Sequence, residues 1–312
     1  MVIAEVHERH LNLMGAGRGI VIPAWISGQV ELPRTPQIAK NSSIKETLRK
    51  IRQQQLEAEV VRDQQHFEDF YYNMYLPYSS QRHGDHSFLT GKEEMLQQFA
   101  CGELLLVKKQ GASVAGMLVS YDGSIPFFRY VGVRNADWNL VRDGVVAAGY
   151  EFLLQHLEAA GHRKVNFGTS RGLLNDGVLR FKRKFGQTIV GVSEHKFLIR
   201  IAEDTSATRA FLHNTPFIFE HAGHYYGAVF ILNETPTTHL LQEIAKQHSQ
   251  AGLSRLILCF FSPNEMPMAH AVEAELAGPH YKQLSPAGWT NLIGALGTIG
   301  IKTAIAIEME VP

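Results

Sequence analysis

A chain of 312 residues with 45% hydrophobic and 19% charged residues can fill conventional cores, which excludes wholesale disorder, and its length fits two domains. Thirty Lys and Arg balance thirty Asp and Glu, so no net field holds nucleic acid or an anionic membrane, and any anion site must be local. Cys101 and Cys259 are too few and too far apart for a disulfide framework or a cysteine-rich metal site, which fits a reducing compartment. Charge interrupts the first ten residues where a signal peptide needs an apolar stretch, and no apolar run is long enough to span a bilayer, so the chain reads as cytoplasmic.

Residues 1–42 read as an arm, because the apolar run 20–26 is followed by Pro33 and Pro36, which block regular structure. Ser43 and Glu46 have the spacing of a capping box, and Leu48 and Ile51 recur at helical spacing, so a helix begins near 44. A strand at 56–61 precedes a helical stripe of Phe67, Phe70, Tyr71 and Met74 that Pro77 should end. The segments 104–109 and 114–119 predict a hairpin, and 126–133 a further strand. A long helix over 145–160 then has Asp143 as its N-cap and Gly161 as its stop. Strand 164–168, short helix 178–185 and strand material at 189–201 complete this half.

The small and charged stretch 202–208 reads as the linker. Beyond it, 225–232, 240–248, 256–261, 269–277 and 301–310 alternate strand-like and helix-like patterns, which predicts a smaller second α/β unit. Its strands are too hydrophobic for a sheet with one wet face. Both faces need cover, from helices 240–248 and 269–277 and from the first domain or a second subunit of a homo-oligomer. The expected division is therefore an arm at 1–42, a domain at 43–204 and a second domain at 205–312.

The segment richest in chemistry runs Val165-Asn166-Phe167-Gly168-Thr169-Ser170-Arg171, then Asn175-Asp176-Gly177, then Phe181-Lys182-Arg183-Lys184-Phe185-Gly186. Strand, loop and long helix precede it. A strand ending F-G-x-S, an N-D-G turn and F-K-x-x-F-G, in this order, resembles the GNAT-like acyltransferase domain of Fem-type aminoacyltransferases and their acyl-CoA-dependent relatives, over roughly residues 43–200. The resemblance implies an α/β (α+β) fold, a mixed sheet flanked by helices. It also implies N-acyl transfer from acyl-CoA to a small-molecule amine, such as a cell-envelope or polysaccharide precursor. The alternatives it leaves are an aminoacyl-tRNA donor or a silent binding module. The neutral charge balance favours acyl-CoA over tRNA, the one nucleic acid that remains in view.

In that family the lysine of the F-K pair is implicated at the reaction centre, which points to Lys182 with Phe181 packing beside it. A positioned cation suits the oxyanion of acyl transfer, although four cations among Arg180, Lys182, Arg183 and Lys184 also suit a solvated helix face. Arg183 is retained as a donor-binding residue. Ser170 and Arg171 lie just past a strand end, where ligand loops gather and where ordinary turns also occur. In loop 134–144, Arg134 and Arg142 could meet donor phosphates and Gly144 could open the helix to them. Asp137 and Asp143 oppose that role, and a loop capped by Asp143 is the structural alternative. His83 is placed to deprotonate an amine or to make a loop hydrogen bond.

No metal site is expected, because His7 and His10, His83 and His86, and His221 and His224 are pairs without a third ligand nearby. Gly15-Ala16-Gly17-Arg18-Gly19 lacks the strand and lysine of a nucleotide loop, and Gly294, Gly297 and Gly300 suit packing and capping. Neither cysteine has the histidine of a thiol nucleophile.

Overall fold

The computed structural model describes residues 1–15, 19–83, 89–121, 123–232, 237–261, 281–284 and 303–308. In chain order come β1 (Val2–His7), β2 (Ile20–Pro23), β3 (Trp25–Glu31), α1 (Pro36–Ala39), α2 (Ser42–Gln54), β4 (Leu56–Val61) and α3 (Gln64–Phe70). A π-helical turn at Tyr71–Tyr75 joins α3 to α4 (Leu76–His83), and α5 (Lys92–Ala100) leads into β5 (Gly102–Lys109), β6 (Ala112–Ser120) and β7 (Phe127–Val133). Then follow α6 (Trp138–Asp143), α7 (Val145–Ala159), β8 (Lys164–Arg171), α8 (Gly177–Arg183), β9 (Thr188–Val192) and β10 (His195–Arg200). The chain continues through α9 (Ser206–Asn214), β11 (Phe217–His221), β12 (His224–Leu232), α10 (Thr238–His248), β13 (Leu253–Phe261), β14 (Tyr281–Leu284) and β15 (Thr303–Glu308). These gather into two compact units, the first made of 1–28, 169–183 and 188–312 and the second of 29–168 with 184–187.

The second unit holds the expected mixed sheet. Strands β4, β5, β6 and β7 are antiparallel neighbours, β8 lies parallel beside β7, and the end of β3 follows β8. On one face Phe67, Phe70, Met74, Met95 and Phe99 pack on Leu104, Leu106 and Leu118. On the other lies α7, the crossover that a parallel connection requires. It packs so closely that a Cβ on Gly149 would stand 2.0 Å from Met117 Cε.

Three local expectations in this unit are corrected. The cap of α2 is Asn41, whose Oδ1 accepts from Ile44 N at 2.8 Å, while Glu46 pairs instead with Arg49. Pro77 does not end the helix at 66–76. The π turn shifts the hydrogen-bond register at Leu76, whose N–H reaches back to Tyr71 O, so Pro77 falls in the first turn of a new helix, where a missing N–H is tolerated. Asp143 does not cap α7. Gly144, at φ 94°, passes the chain directly from α6 to α7, and Asp143 pairs with Lys109 at 2.7 Å.

Two buried carboxylates tie the second unit together. Glu151 on α7 receives Arg34 bidentately at 2.7 and 2.8 Å. Glu103, at the start of β5, accepts from Tyr121, from Arg62 at 2.8 Å and from His156 on α7 at 2.5 Å. Burial alone would raise the Glu103 carboxyl, but these three donors prevail and hold it below the usual carboxylate range.

In the first unit β10 lies between β1 and β2, all antiparallel, and a mixed sheet runs β11-β12-β13-β15-β14. Residues 1–42, read as an arm, thus supply three strands. The hydrophobicity of β12 and β13 is explained by cover on both faces. Phe217, Phe219, Phe230, Ile257 and Phe261 pack with Ile20, Ile22, Ile199 and Leu212. The alternate residues Ile218, Val229, Ile231, Leu256, Leu258 and Phe260 pack with Ile26, Leu174, Leu179, Ile189 and Leu241. The strand material at 189–201 is divided at Ser193, whose hydroxyl donates to His195 O at 2.7 Å, and α9 begins inside the stretch read as linker.

The helix expected at 269–277, Gly294, Gly297, Gly300, His86 and residues 16–18 lie outside the described residues. Among the described residues no helix is long and apolar enough to cross a membrane.

The Glu103 network gives a pH-dependent expectation. A carboxyl depressed in the fold contributes stability above its unfolded value, about 4.3 for Glu, and that contribution is lost as pH falls through the folded value. Glu103→Gln is expected to cost about 1–3 kcal/mol at pH 7. In denaturant melts from pH 7 to 3, the gap between the variant and the unsubstituted chain should close below about pH 4. A gap independent of pH would refute the assignment of an ionised Glu103.

Candidate functional site

The local geometry of the second unit turns on β7. Leu118 pairs with Tyr130 and Val119 with Phe128, so Arg129 is an extra residue, a bulge that increases strand twist. Arg129 is fixed there, with Nε donating to Ser120 Oγ at 2.8 Å and its guanidinium 3.9 Å from the Phe127 ring centroid. On its other side β7 shares a single ladder pair with β8, Phe127 with Asn166. The sequence Asn166-Phe167-Gly168 then bends β8. Asn166 Oδ1 accepts from Gly168 N at 2.7 Å, and Gly168 takes φ 69°, a value that favours glycine. Among the described residues, Phe128 to Val133 therefore have no strand partner on that edge.

Buried aromatic side chains pack beside β7. Tyr150 of α7 packs on Phe128, Phe167 and Phe185, with ring centroids 4.6, 5.2 and 5.2 Å away. Its burial pushes the phenol well above its ordinary range, so it stays neutral. Tyr78 of α4 accepts from Arg82 at 2.9 Å and lies 6.5 Å from the exposed Trp138 ring. Gly132 has no side chain because a Cβ there would meet Tyr75 N at 2.6 Å, which lets the π turn rest directly on β7.

Loop 134–144 is more structural than its sequence suggests. Arg134 is bound to Asp69, at 2.5 and 3.1 Å, and to Ser113 O at 2.5 Å, so its cation is answered within the protein. That bond holds the Asp69 carboxyl below its usual range. Asp137 caps α6 by accepting from Asn139 N at 2.8 Å. Asp143 pairs with Lys109, so each acid has a partner within the protein, and α7 begins without a side-chain cap. Arg142 is exposed, and its carbonyl accepts from Lys50 at 2.7 Å.

The other expected site residues belong to the first unit. Lys182 is buried, 5% exposed, and its ammonium donates at 2.8 Å to the carbonyl of Thr169, the residue after Gly168. Phe181 is partly buried beside it in α8. Ser170 is 2% exposed, and its hydroxyl has no hydrogen-bond partner among the described residues. Arg171 is exposed and stacks 3.8 Å over Trp25. Arg183 donates to Gln247 O at 2.9 Å and Ser249 O at 2.6 Å. The N-D-G turn starts α8, with Asp176 Oδ1 accepting from Leu179 N at 2.7 Å. His83 ends α4, and its side chain is outside the description.

The structure thus places Arg134, Arg142, Gly144 and the backbone of His83 in one unit, and Lys182, Phe181, Ser170, Arg171 and Arg183 in the other. Arg129, Tyr150 and Glu103 were not singled out by sequence. A bulge leaves no residue signature, and a lone glutamate in an apolar strand at Glu103 was the one readable signal. Among the described residues no group of three or more His, Cys, Asp or Glu could hold a metal ion. His221 and His224 are cross-strand neighbours at a hairpin, and burial pushes the Cys259 thiol up to about 12.

Gly144→Ala tests the junction of α6 and α7. A Cβ there would stand 2.9 Å from Lys50 Cδ in a left-handed conformation, so the substitution should cost about 1–2 kcal/mol in thermal melts. An unchanged melting temperature would show that this turn is not strained.

No family model and no curated protein sequence matches the chain. Solved structures share part of its chain path at low identity. The C-terminal domain (DUF2156) of a putative lysylphosphatidylglycerol synthetase from Agrobacterium fabrum is 14% identical, with a TM-score of 0.41 over 62% of this chain and 66% of that one. A GCN5-related N-acetyltransferase from Sphaerobacter thermophilus is 14% identical, with a TM-score of 0.40 over 63% and 58%. FemX is 12% identical, with a TM-score of 0.40 over 62% and 68%. The chain spans less than two thirds of the first two of these structures. Likeness of this degree assigns neither reaction nor substrate.

Proposed function

We propose that this protein is an N-acyltransferase that moves an acyl group from acyl-CoA to a small-molecule amine, and that it acts in the cytoplasm. The observation that carries the reading is the edge of β7 beyond the single Phe127 and Asn166 pair. Backbone N–H and C=O groups along Phe128 to Val133 offer the ladder that an extended chain can join as an added strand. An acyl-CoA donor has a linear arm bearing secondary amides, which suits such an edge. The buried aromatic cluster around Tyr150 backs this strand, and α7 starts without a side-chain cap, which suits an anionic group nearby.

In the proposed reaction the amine nitrogen attacks the thioester carbonyl, the C–N bond forms, and the C–S bond breaks to release CoA thiol. The amine proton leaves through solvent or a base such as His83. Lys182 remains the candidate for stabilising the oxyanion, on the strength of the resemblance of its F-K-x-x-F-G segment and of its enclosed ammonium. Exclusion of water strengthens such an electrostatic role. Ser170, Arg171, Arg142 and Gly144 are retained as donor-binding residues. Arg134 is better explained by its pairing with Asp69.

Calorimetry with acetyl-CoA and longer acyl-CoAs, followed by thiol release in the presence of amines, tests the reaction. Saturable binding and amine-dependent thiol release are expected. Failure of every acyl-CoA to bind would overturn the donor assignment. Because Lys182 is buried, alanine would leave a cavity, so Lys182→Met is the cleaner variant. It should keep the fold by circular dichroism and lower turnover by about a hundredfold or more. Undiminished turnover would remove Lys182 from the chemistry.

A further inference from the structure

The first unit contains a group of positive charges that no acid among the described residues answers. Arg183 in α8 is half-buried, and Nη1 spends its donors on the carbonyls of Gln247 and Ser249, either side of His248 at the end of α10. Those two bonds satisfy a helix terminus and fix the plane of the guanidinium. The Nε and Nη2 donors have no hydrogen-bond partner among the described residues, nor does the exposed side chain of Arg180, three residues earlier on the same side of α8. His248 is 8% exposed, and its Nδ1 is buried without a hydrogen-bond partner among the described residues.

The acid before α8 and the acid on α10 are engaged elsewhere. Asp176 is used by Leu179 N, and Glu243 lies 3.7 Å from the exposed His239. Among the described residues no carboxylate pairs with either arginine. Partly buried charge is ordinarily paired. The helix carbonyls offset only part of this charge, because they carry partial charges and engage a single nitrogen of Arg183. The neighbouring groups register the imbalance. Burial and then Arg180 push the Arg183 guanidinium down, and burial, Arg183 and Arg180 push His248 down to about 4, leaving the imidazole neutral.

We infer that Arg180 and Arg183 form a binding site for an oxyanion, a phosphate or carboxylate group of a small molecule. Arg183 presents a planar fork held rigid by the helix end, the geometry that suits bidentate recognition of such groups. Arg180 supplies the second cation from a solvent-exposed position, through which the anion can enter. His248, enclosed beside them, does not need to touch the anion and reports it, since a bound negative charge favours the imidazolium. The site concerns binding alone and stands whether or not the chain transfers acyl groups.

The test titrates the full chain with inorganic phosphate and, separately, with acetate by calorimetry, alongside Arg180→Ala. Arg180 makes no hydrogen bond among the described residues, so the unliganded melting temperature of this variant should match that of the unsubstituted chain. Loss of a charge-assisted contact should weaken binding about tenfold or more. Phosphate binding lost in the variant identifies a phosphate site, and acetate binding lost in the same way identifies a carboxylate site. In the unsubstituted chain the bound anion should also move the NMR titration of His248 to higher pH. If neither anion saturates the protein, or if Arg180→Ala binds both as well as the unsubstituted chain does, the site does not exist.

Discussion

An extra residue in one strand sets the geometry on which the rest of the second unit depends. With Arg129 bulged against β6, β7 twists, and the parallel strand β8 stays in register for one pair before Gly168 turns it away. Hydrogen bonds not made along that edge cost free energy unless something else makes them. The fold supports the departure on both sides. Ser120 and the Phe127 ring hold Arg129, Asn166 holds Gly168, and Gly132 lets the π turn lie against β7. A strand edge kept open by so many specific contacts is the physical basis of the acyl-transfer reading.

The handling of charge separates the cations into two groups. Arg34, Arg62 and Arg134 each meet a carboxylate, and in the first two cases that carboxylate is buried. These pairs fasten α7, the β4 end and loop 134–144 to their surroundings. Lys182 meets a carbonyl, and Arg183 meets two. The basic segment 180–184 is therefore not a uniform solvated face: Lys182 is enclosed, Arg183 is half-buried, and Arg180 and Lys184 are exposed. Sequence alone could not sort them, because helical spacing gives direction around an axis and says nothing of what packs there.

Much of the fold was legible where periodicity and turn chemistry agree. The strand at 56–61, the hairpin through Gln110-Gly111 and the long helix stopped by Gly161 all follow from local residues. Pro77 misled because the π turn that accommodates it depends on tertiary packing of Phe70, Met74 and Tyr75. Asn41 was passed over for Ser43, since both can cap and only the backbone decides. In the first unit, the near-continuous hydrophobicity of β12 and β13 implied a sheet covered on both faces. The cover itself comes from segments distant in sequence, such as Ile20 and Ile22 on one side and Ile26 and Leu179 on the other. The F-G and F-K segments drew attention to Gly168, which bends β8, and to Lys182, which is enclosed in the first unit, whereas the bulge at Arg129 and the buried Glu103 network arise only from long-range pairing.

Amide hydrogen exchange along β7 tests the central claim most directly. Without ligand, amides of Phe128 to Val133 that face the open edge should exchange faster than those bonded to β6. On addition of an acyl-CoA they should become protected, while the β4 and β5 amides stay as they were. Protection that is already complete without donor, or that does not change when donor is bound, would contradict the account of an edge kept open for an extended arm.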